Sequence, residues 1–173
     1  MIYIVRHGET SWNKEKRYAG RMDIPLNETG INQAKEIKKI LDNIKFDIVV
    51  SSPLKRALET AKILTDSNII TDERIIERCN GKLEGKLKSE IKKNIDFNSD
   101  KSEYGIEKIS DFRNRIFDFC EDIKKYKNKN VLIVTHAGVG IYIRCYFEGE
   151  PKDMNYGLYK LNNCEIISYE NNY

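Results

Sequence analysis

Three short apolar runs, rich in β-branched residues and free of polar alternation, constrain this chain more than any other feature. They lie at residues 2–5, 48–50 and 131–134. Continuous runs of this kind suit strands covered on both faces, as in a parallel sheet. Helical patterns fill the intervals. After Asn27, a candidate N-cap, Ile31, Ala34, Ile37, Leu41 and Ile44 recur at helical spacing. Ser52 is read as the cap of the next helix, with Pro53 at its first position and Leu54, Ala57, Leu58, Ala61 and Leu64 on its apolar face. A long helix is predicted through Ile106, Ile109, Phe112, Ile116, Phe117, Cys120 and Ile123. Further strands are predicted at 69–71 and, as an edge, at 165–169. Strands alternating with helices predict an α/β fold: a three-layer α/β/α sandwich with a mostly parallel sheet.

The chain has 173 residues, which predicts one domain over 1–173 with a short polar excursion near 86–104. Its formal charge of +3 is small and its signs are mixed, so neither nucleic acid nor a membrane is expected as a partner. No apolar run reaches the length of a membrane span, and the chain opens on an apparent core strand without a signal-peptide pattern, which predicts a cytoplasmic protein. The four cysteines include no CxxC pair and are read as thiols.

Open α/β sheets bind ligands outside the carboxyl ends of their strands. Those ends carry Arg6-His7, Ser51-Ser52 followed by Arg56, and Thr135-His136, and the chain has only these two histidines. Arginine presents a planar fork of donors that matches phosphate oxygens. A phosphate dianion among Arg6, Arg56 and His136 would be held on several sides. The same cations penalise imidazolium, which keeps a ring nitrogen of His7 free as a nucleophile. Attack on phosphorus would give a phosphohistidine and divide a difficult hydrolysis into two displacements. Neither histidine stands in an HxxxH or HExxH spacing, and the arginines would repel a cation, so no metal and no other cofactor is expected.

These residues resemble a known pattern. Arg6-His7-Gly8-Glu9-Thr10 with Trp12-Asn13 and Arg17 is similar to the opening signature of the histidine phosphatase superfamily, the phosphoglycerate-mutase-like proteins. Gly20, Asp23, Pro25-Leu26, Gly30 and Gln33-Ala34 resemble its second block. Residues 51–57 with Thr60-Ala61 resemble the third, Glu77, Gly81 and Glu84-Gly85 the fourth, and residues 135–138 the fifth. The resemblance implies a phosphoglycerate-mutase-like fold with His7 as the phosphorylated nucleophile. It implies that Arg6, Arg56, His136 and Asn13 bind the phosphoryl group. Glu77 would protonate the departing oxygen and later take a proton from water; a bound dianion beside a carboxyl favours its protonated form. Arg17 is read either as reaching phosphate or substrate, or as half of a surface salt bridge. Arg78 is read as contacting an anionic substrate or facing solvent, and Gly20 as part of the substrate-binding segment.

The superfamily holds phosphatases and mutases. A mutase must keep water off the phosphohistidine, which asks for a substantial lid, and only the polar stretch near 86–104 could serve. Glu84-Gly85 looks like the phosphatase branch, while Glu77-Arg78 resembles the mutase version. The reading is a phosphatase acting on small phosphorylated metabolites. Its alternatives are a phosphoglycerate mutase, an α-ribazole phosphate or phosphohistidine-protein phosphatase, and a non-catalytic phosphate-binding module.

Overall fold

The computed structural model describes residues 1–91, 95, 97, 99–100 and 103–171. Five strands, β1 (Ile2–Arg6), β2 (Ile48–Ser51), β3 (Ile69–Thr71), β4 (Val131–Thr135) and β5 (Ile166–Tyr169), form one sheet in the order β3-β2-β4-β1-β5. The first four run parallel, and β5 closes the edge antiparallel to β1. β4 lies at the centre and is buried throughout, which explains its unbroken apolar run. Its side chains alternate between two cores, as the two-residue period of a strand requires. Leu132 and Val134 meet Val5, Val49, Leu41, Ala57, Ala61 and Leu64 on one face. Val131 and Ile133 meet Ile2, Ile4, Phe112, Ile116, Val139 and Ile143 on the other.

Helices α1 (Ser11–Lys14), α2 (Glu28–Leu41), α3 (Lys55–Leu64), α4 (Ile109–Ile123) and α5 (Ala137–Glu148) complete the described elements longer than a 3-10 turn. α2 and α3 cover the first face, α4 and α5 the second, so the predicted three-layer sandwich is the observed architecture. Among the described residues, no helix is long and apolar enough to cross a membrane.

Asn27 caps α2 as read, its side chain accepting the Gly30 N–H at 2.8 Å. Two other helix starts differ. α3 begins at Lys55, not Pro53, and Leu54 at its N-cap makes no side-chain cap bond. The Ser52 hydroxyl lies 2.7 Å from His136 Nε2, and the backbone N–H it accepts, that of Leu54 at 3.4 Å, stands ahead of the first helical residue, so Ser52 is not the cap. α4 begins at Ile109; Ile106 is buried but precedes it. The backbone of Glu107 pairs with Cys79 and Arg78, which holds that residue outside a helical ladder. The excursion expected near 86–104 falls partly outside the described residues. Its described parts include 3-10 turns at Lys88–Glu90 and Glu103–Gly105. Its start is tied to the loop after α1 by Lys88 N–H donating to Lys16 O and Tyr18 N–H to Lys86 O, each at 3.0 Å.

Sheet register positions the chemistry. Arg6 pairs with Thr135 and Ser51 with Val134, so three strands end side by side. The next residues are His7, His136 and Ser52. The His7 N–H donates to Thr135 O at 2.9 Å, and the Ser52 N–H to Val134 O at 3.0 Å.

Candidate active site

His7 leaves β1 almost fully buried, 4% exposed. Its Nδ1 lies 2.7 Å from Gly8 O. A carbonyl can only accept, so Nδ1 carries the hydrogen and Nε2 keeps its lone pair. Its main-chain oxygen accepts from Asn163 Nδ2 at 3.0 Å, which fixes the loop from behind. Burial, then Arg56, then Arg6 hold its pKa well below the ordinary value of 6.5. The sequence argument named the two arginines; desolvation is the larger cause.

A close glycine contact sets the position of this loop. A Cβ on Gly8 would stand 2.4 Å from Gly30 O, and one on Gly30 would stand 2.1 Å from Glu9 O. The first turn of α2 therefore rests directly on the backbone following the histidine.

Arg56 occupies the second position of α3 and is 1% exposed. Its guanidinium donates to Gly20 O and Met22 O, both at 2.7 Å. Gly20 takes φ +50°, and a side chain there would strike the Glu84 carboxylate. Its carbonyl thus helps to hold Arg56 in place. Arg6 gives one N–H to Leu161 O at 2.8 Å, while its Nε is buried without a hydrogen-bond partner among the described residues. Burial lowers both arginine pKa values. Asn13 accepts through Oδ1 from Thr10 N–H at 3.1 Å and Asn163 Nδ2 at 3.3 Å, which turns its amide nitrogen to other partners.

Glu77 follows the 3-10 turn Glu73–Ile75. Its carboxylate accepts from Arg78 N–H at 2.9 Å and from Gly138 N–H, in the first turn of α5, at 3.1 Å. Arg6, His7, Asn13, Arg56 and Glu77 line one cavity of about 340 Å³, with Arg17, Gly20 and Arg78 also in its wall. The structure thus brings every expected site residue except His136 to the cavity surface. His136 is fully buried and does not line it, although its ring centroid lies 5.1 Å from that of His7. Burial first, then Arg56, His7, Arg6 and Arg115 hold its pKa well below 6.5.

The geometry narrows two readings that the sequence leaves open. Arg17 pairs with Glu15 and also donates to Gly85 O at 2.7 Å, so it braces the wall while lining it. Arg78 is buried and neither faces solvent nor presents a free fork: its guanidinium donates to Glu107 O and Phe97 O. Farther out, the cavity is aromatic and cationic, with Tyr18, Tyr142 and Tyr156 beside Lys88 and Lys160. Among the described residues, no group of three or more His, Cys, Asp or Glu side chains converges to hold a metal ion.

A model of the histidine phosphatase superfamily (branch 1) matches residues 2–172. The chain belongs to that superfamily. It is 33% identical over 162 residues to phosphoglycerate mutase-like protein 4 of Arabidopsis thaliana, covering 85% of this chain and 69% of that one. It is 37% identical over 140 residues to the uncharacterised phosphatase PhoE of Bacillus subtilis, covering 79% and 71%. The crystal structure of phosphoserine phosphatase from Entamoeba histolytica in complex with 3-phosphoglyceric acid superposes with a TM-score of 0.81. That match has 29% identity and covers 95% of this chain and 87% of that one.

Within this histidine phosphatase chain, the structure adds residues that sequence reasoning missed. Glu107 pairs with Arg115 at 2.9 Å and Arg21 at 3.1 Å. Those arginines donate in turn to the main-chain oxygen of Glu77, at 3.3 and 3.2 Å. Asn163 ties the His7 loop to Asn13. No sequence pattern pointed to these contacts, because all but the Glu107–Arg115 pair join residues far apart in the chain.

Proposed function

We propose that this chain is a metal-independent phosphatase that hydrolyses phosphate monoesters of small metabolites through a phosphohistidine on His7. The observation that carries the reading is the His7 ring: neutral, pinned through Nδ1–H to Gly8 O, and walled by Arg6 and Arg56 in a cavity that also holds the Glu77 carboxyl. In the first displacement the Nε2 lone pair forms a bond to phosphorus, the bond to the ester oxygen breaks, and Glu77 gives that oxygen its proton. In the second, the Glu77 carboxylate takes a proton from water, the water oxygen attacks phosphorus, and the P–N bond returns its electrons to the ring. Inorganic phosphate leaves with His7 neutral and Glu77 protonated again. Arg6, Arg56 and the amide nitrogen of Asn13 would meet the charge on the equatorial oxygens, the task a metal performs elsewhere. His136, whose ring lies edge-on to that of His7, would add a donor to the same phosphoryl group.

Phosphatase and mutase names both occur among the relatives. Arg78, the feature that leaned toward mutase, already donates to main-chain carbonyls, which favours hydrolysis. The aromatic and cationic outer cavity suits a phosphorylated metabolite with a second polar or anionic group. Four unpaired thiols support a cytoplasmic setting as part of the same proposal.

The test is brief incubation with a radiolabelled monoester, followed by an acid quench. Acid-labile label is expected on His7, absent from His7→Asn, with steady phosphate release unchanged by chelator. Activity abolished by chelator and restored by one divalent ion would overturn the metal-free mechanism. Phosphoryl transfer between positions of one acid, dependent on a bisphosphoglycerate primer, would make it a mutase.

A further inference from the structure

We propose that Ser52 is a positioning residue that holds His136 as the Nδ1–H tautomer, so that the second imidazole offers a hydrogen and not a lone pair to the transferred phosphoryl group. The inference rests on the phosphatase reading only for the identity of that group; the tautomer itself follows from the protein.

His136 is enclosed and surrounded by Arg56, His7, Arg6 and Arg115, which disfavours its charged form. A neutral imidazole has one N–H and one lone pair, and an error in their placement converts an attraction for an anion into a repulsion. Some neighbour must therefore choose between the two nitrogens. The His136 Nε2 lies 2.7 Å from the hydroxyl oxygen of Ser52, which is itself fully buried. The Leu54 N–H reaches the same oxygen at 3.4 Å. That amide takes one of the oxygen's two lone pairs, and among the described residues His136 Nε2 is the acceptor that the Ser52 hydroxyl meets, so its single hydrogen is directed to Nε2. With Nε2 accepting, the ring hydrogen belongs on Nδ1. That nitrogen is buried and has no hydrogen-bond partner among the described residues. A buried donor without a partner is costly, and a phosphoryl oxygen beside His7 is the acceptor that would relieve it.

The two rings are then complementary. His7 donates from Nδ1 to Gly8 O and keeps Nε2 as a nucleophile. His136 accepts at Nε2 and keeps Nδ1–H as a donor. Strand register supports the arrangement, because the Ser52 N–H is bound to Val134 O, two residues before His136. Ser51 cannot substitute, since its hydroxyl donates to Ser52 O at 2.9 Å.

The chain has two histidines, so ring-nitrogen NMR on histidine-labelled enzyme, assigned with His7→Asn, reads each tautomer directly. His136 is expected to show protonated Nδ1 and bare Nε2 near neutral pH. Ser52→Ala should shift His136 toward Nε2–H and lower kcat by at least about tenfold at little-changed KM. Ser52→Thr, which keeps the hydroxyl, should restore both. A wild-type spectrum with hydrogen on Nε2 would overturn the proposal, and needs no variant to fold. So would Ser52→Ala with an unaltered tautomer and full turnover. If the tautomer is as stated but no acid-labile phosphate forms on His7, the phosphatase reading alone falls.

Discussion

Arg56 shows how one side chain can serve position and charge together. Two of its N–H groups hold Gly20 O and Met22 O, and the buried guanidinium suppresses the charged form of both histidines. Arg56→Ala is expected to lower kcat by about a hundredfold to a thousandfold, the usual cost of removing a donor aimed at developing charge. Arg56→Lys should recover little, because an ammonium cannot reproduce the fork. Steady-state kinetics decide between roles: a change confined to KM would mean that Arg56 binds only the ground state. Residue identity at this level was well exposed in the sequence. Arg6, His7 and His136 stand at or just beyond strand ends, where open α/β sheets bind ligands, and Arg56 lies in the first turn of the helix that follows β2. The tautomers were not readable, because they depend on a carbonyl and a hydroxyl whose positions only the fold fixes.

At the level of elements, the acid-bearing loop is held from outside by α4. Arg115 of α4 and Arg21 grip the Glu77 carbonyl, and Glu107 links the two arginines. Glu107→Gln weakens both ion pairs while leaving the shape nearly unchanged. Turnover of alkyl phosphates, whose oxygen must be protonated to leave, is expected to fall at least about tenfold more than turnover of nitrophenyl phosphate, which needs little help. Equal losses on both substrates would show that Glu107 does not act through the acid. The parallel strands were legible because burial on both faces leaves a continuous apolar run. The starts of α3 and α4 were misread for a shared reason: at Ser52 and at the residue after Ile106, a polar group meets a partner distant in the chain, His136 in one case and Cys79 in the other. Local pattern cannot reveal such a contact.

For the whole molecule, enclosing two imidazoles ties stability to pH. In the unfolded chain both take a proton near 6.5, whereas the folded chain keeps them neutral until well below that value. Their contribution is complete above the unfolded value and is lost as pH falls through it, since the unfolded state then binds more protons. Each imidazole adds a slope of up to about 1.4 kcal/mol per pH unit. Urea midpoints in phosphate-free buffer should therefore decline below about pH 6.5. This precedes the carboxylate region, where Asp72 and Glu107, with lowered pKa values, would lose their own contributions. A flat midpoint between pH 7 and about 5 would refute the enclosed neutral pair.

The back-to-back glycines at positions 8 and 30 also bear on how such an enzyme can diversify. With no space for even one added carbon at either point, neither can vary and be compensated by the other, so they constitute a single locked choice. Novelty must then arise at the rim, around Lys88, Tyr156 and Lys160, where new side chains can select other esters without disturbing the nucleophile's seat.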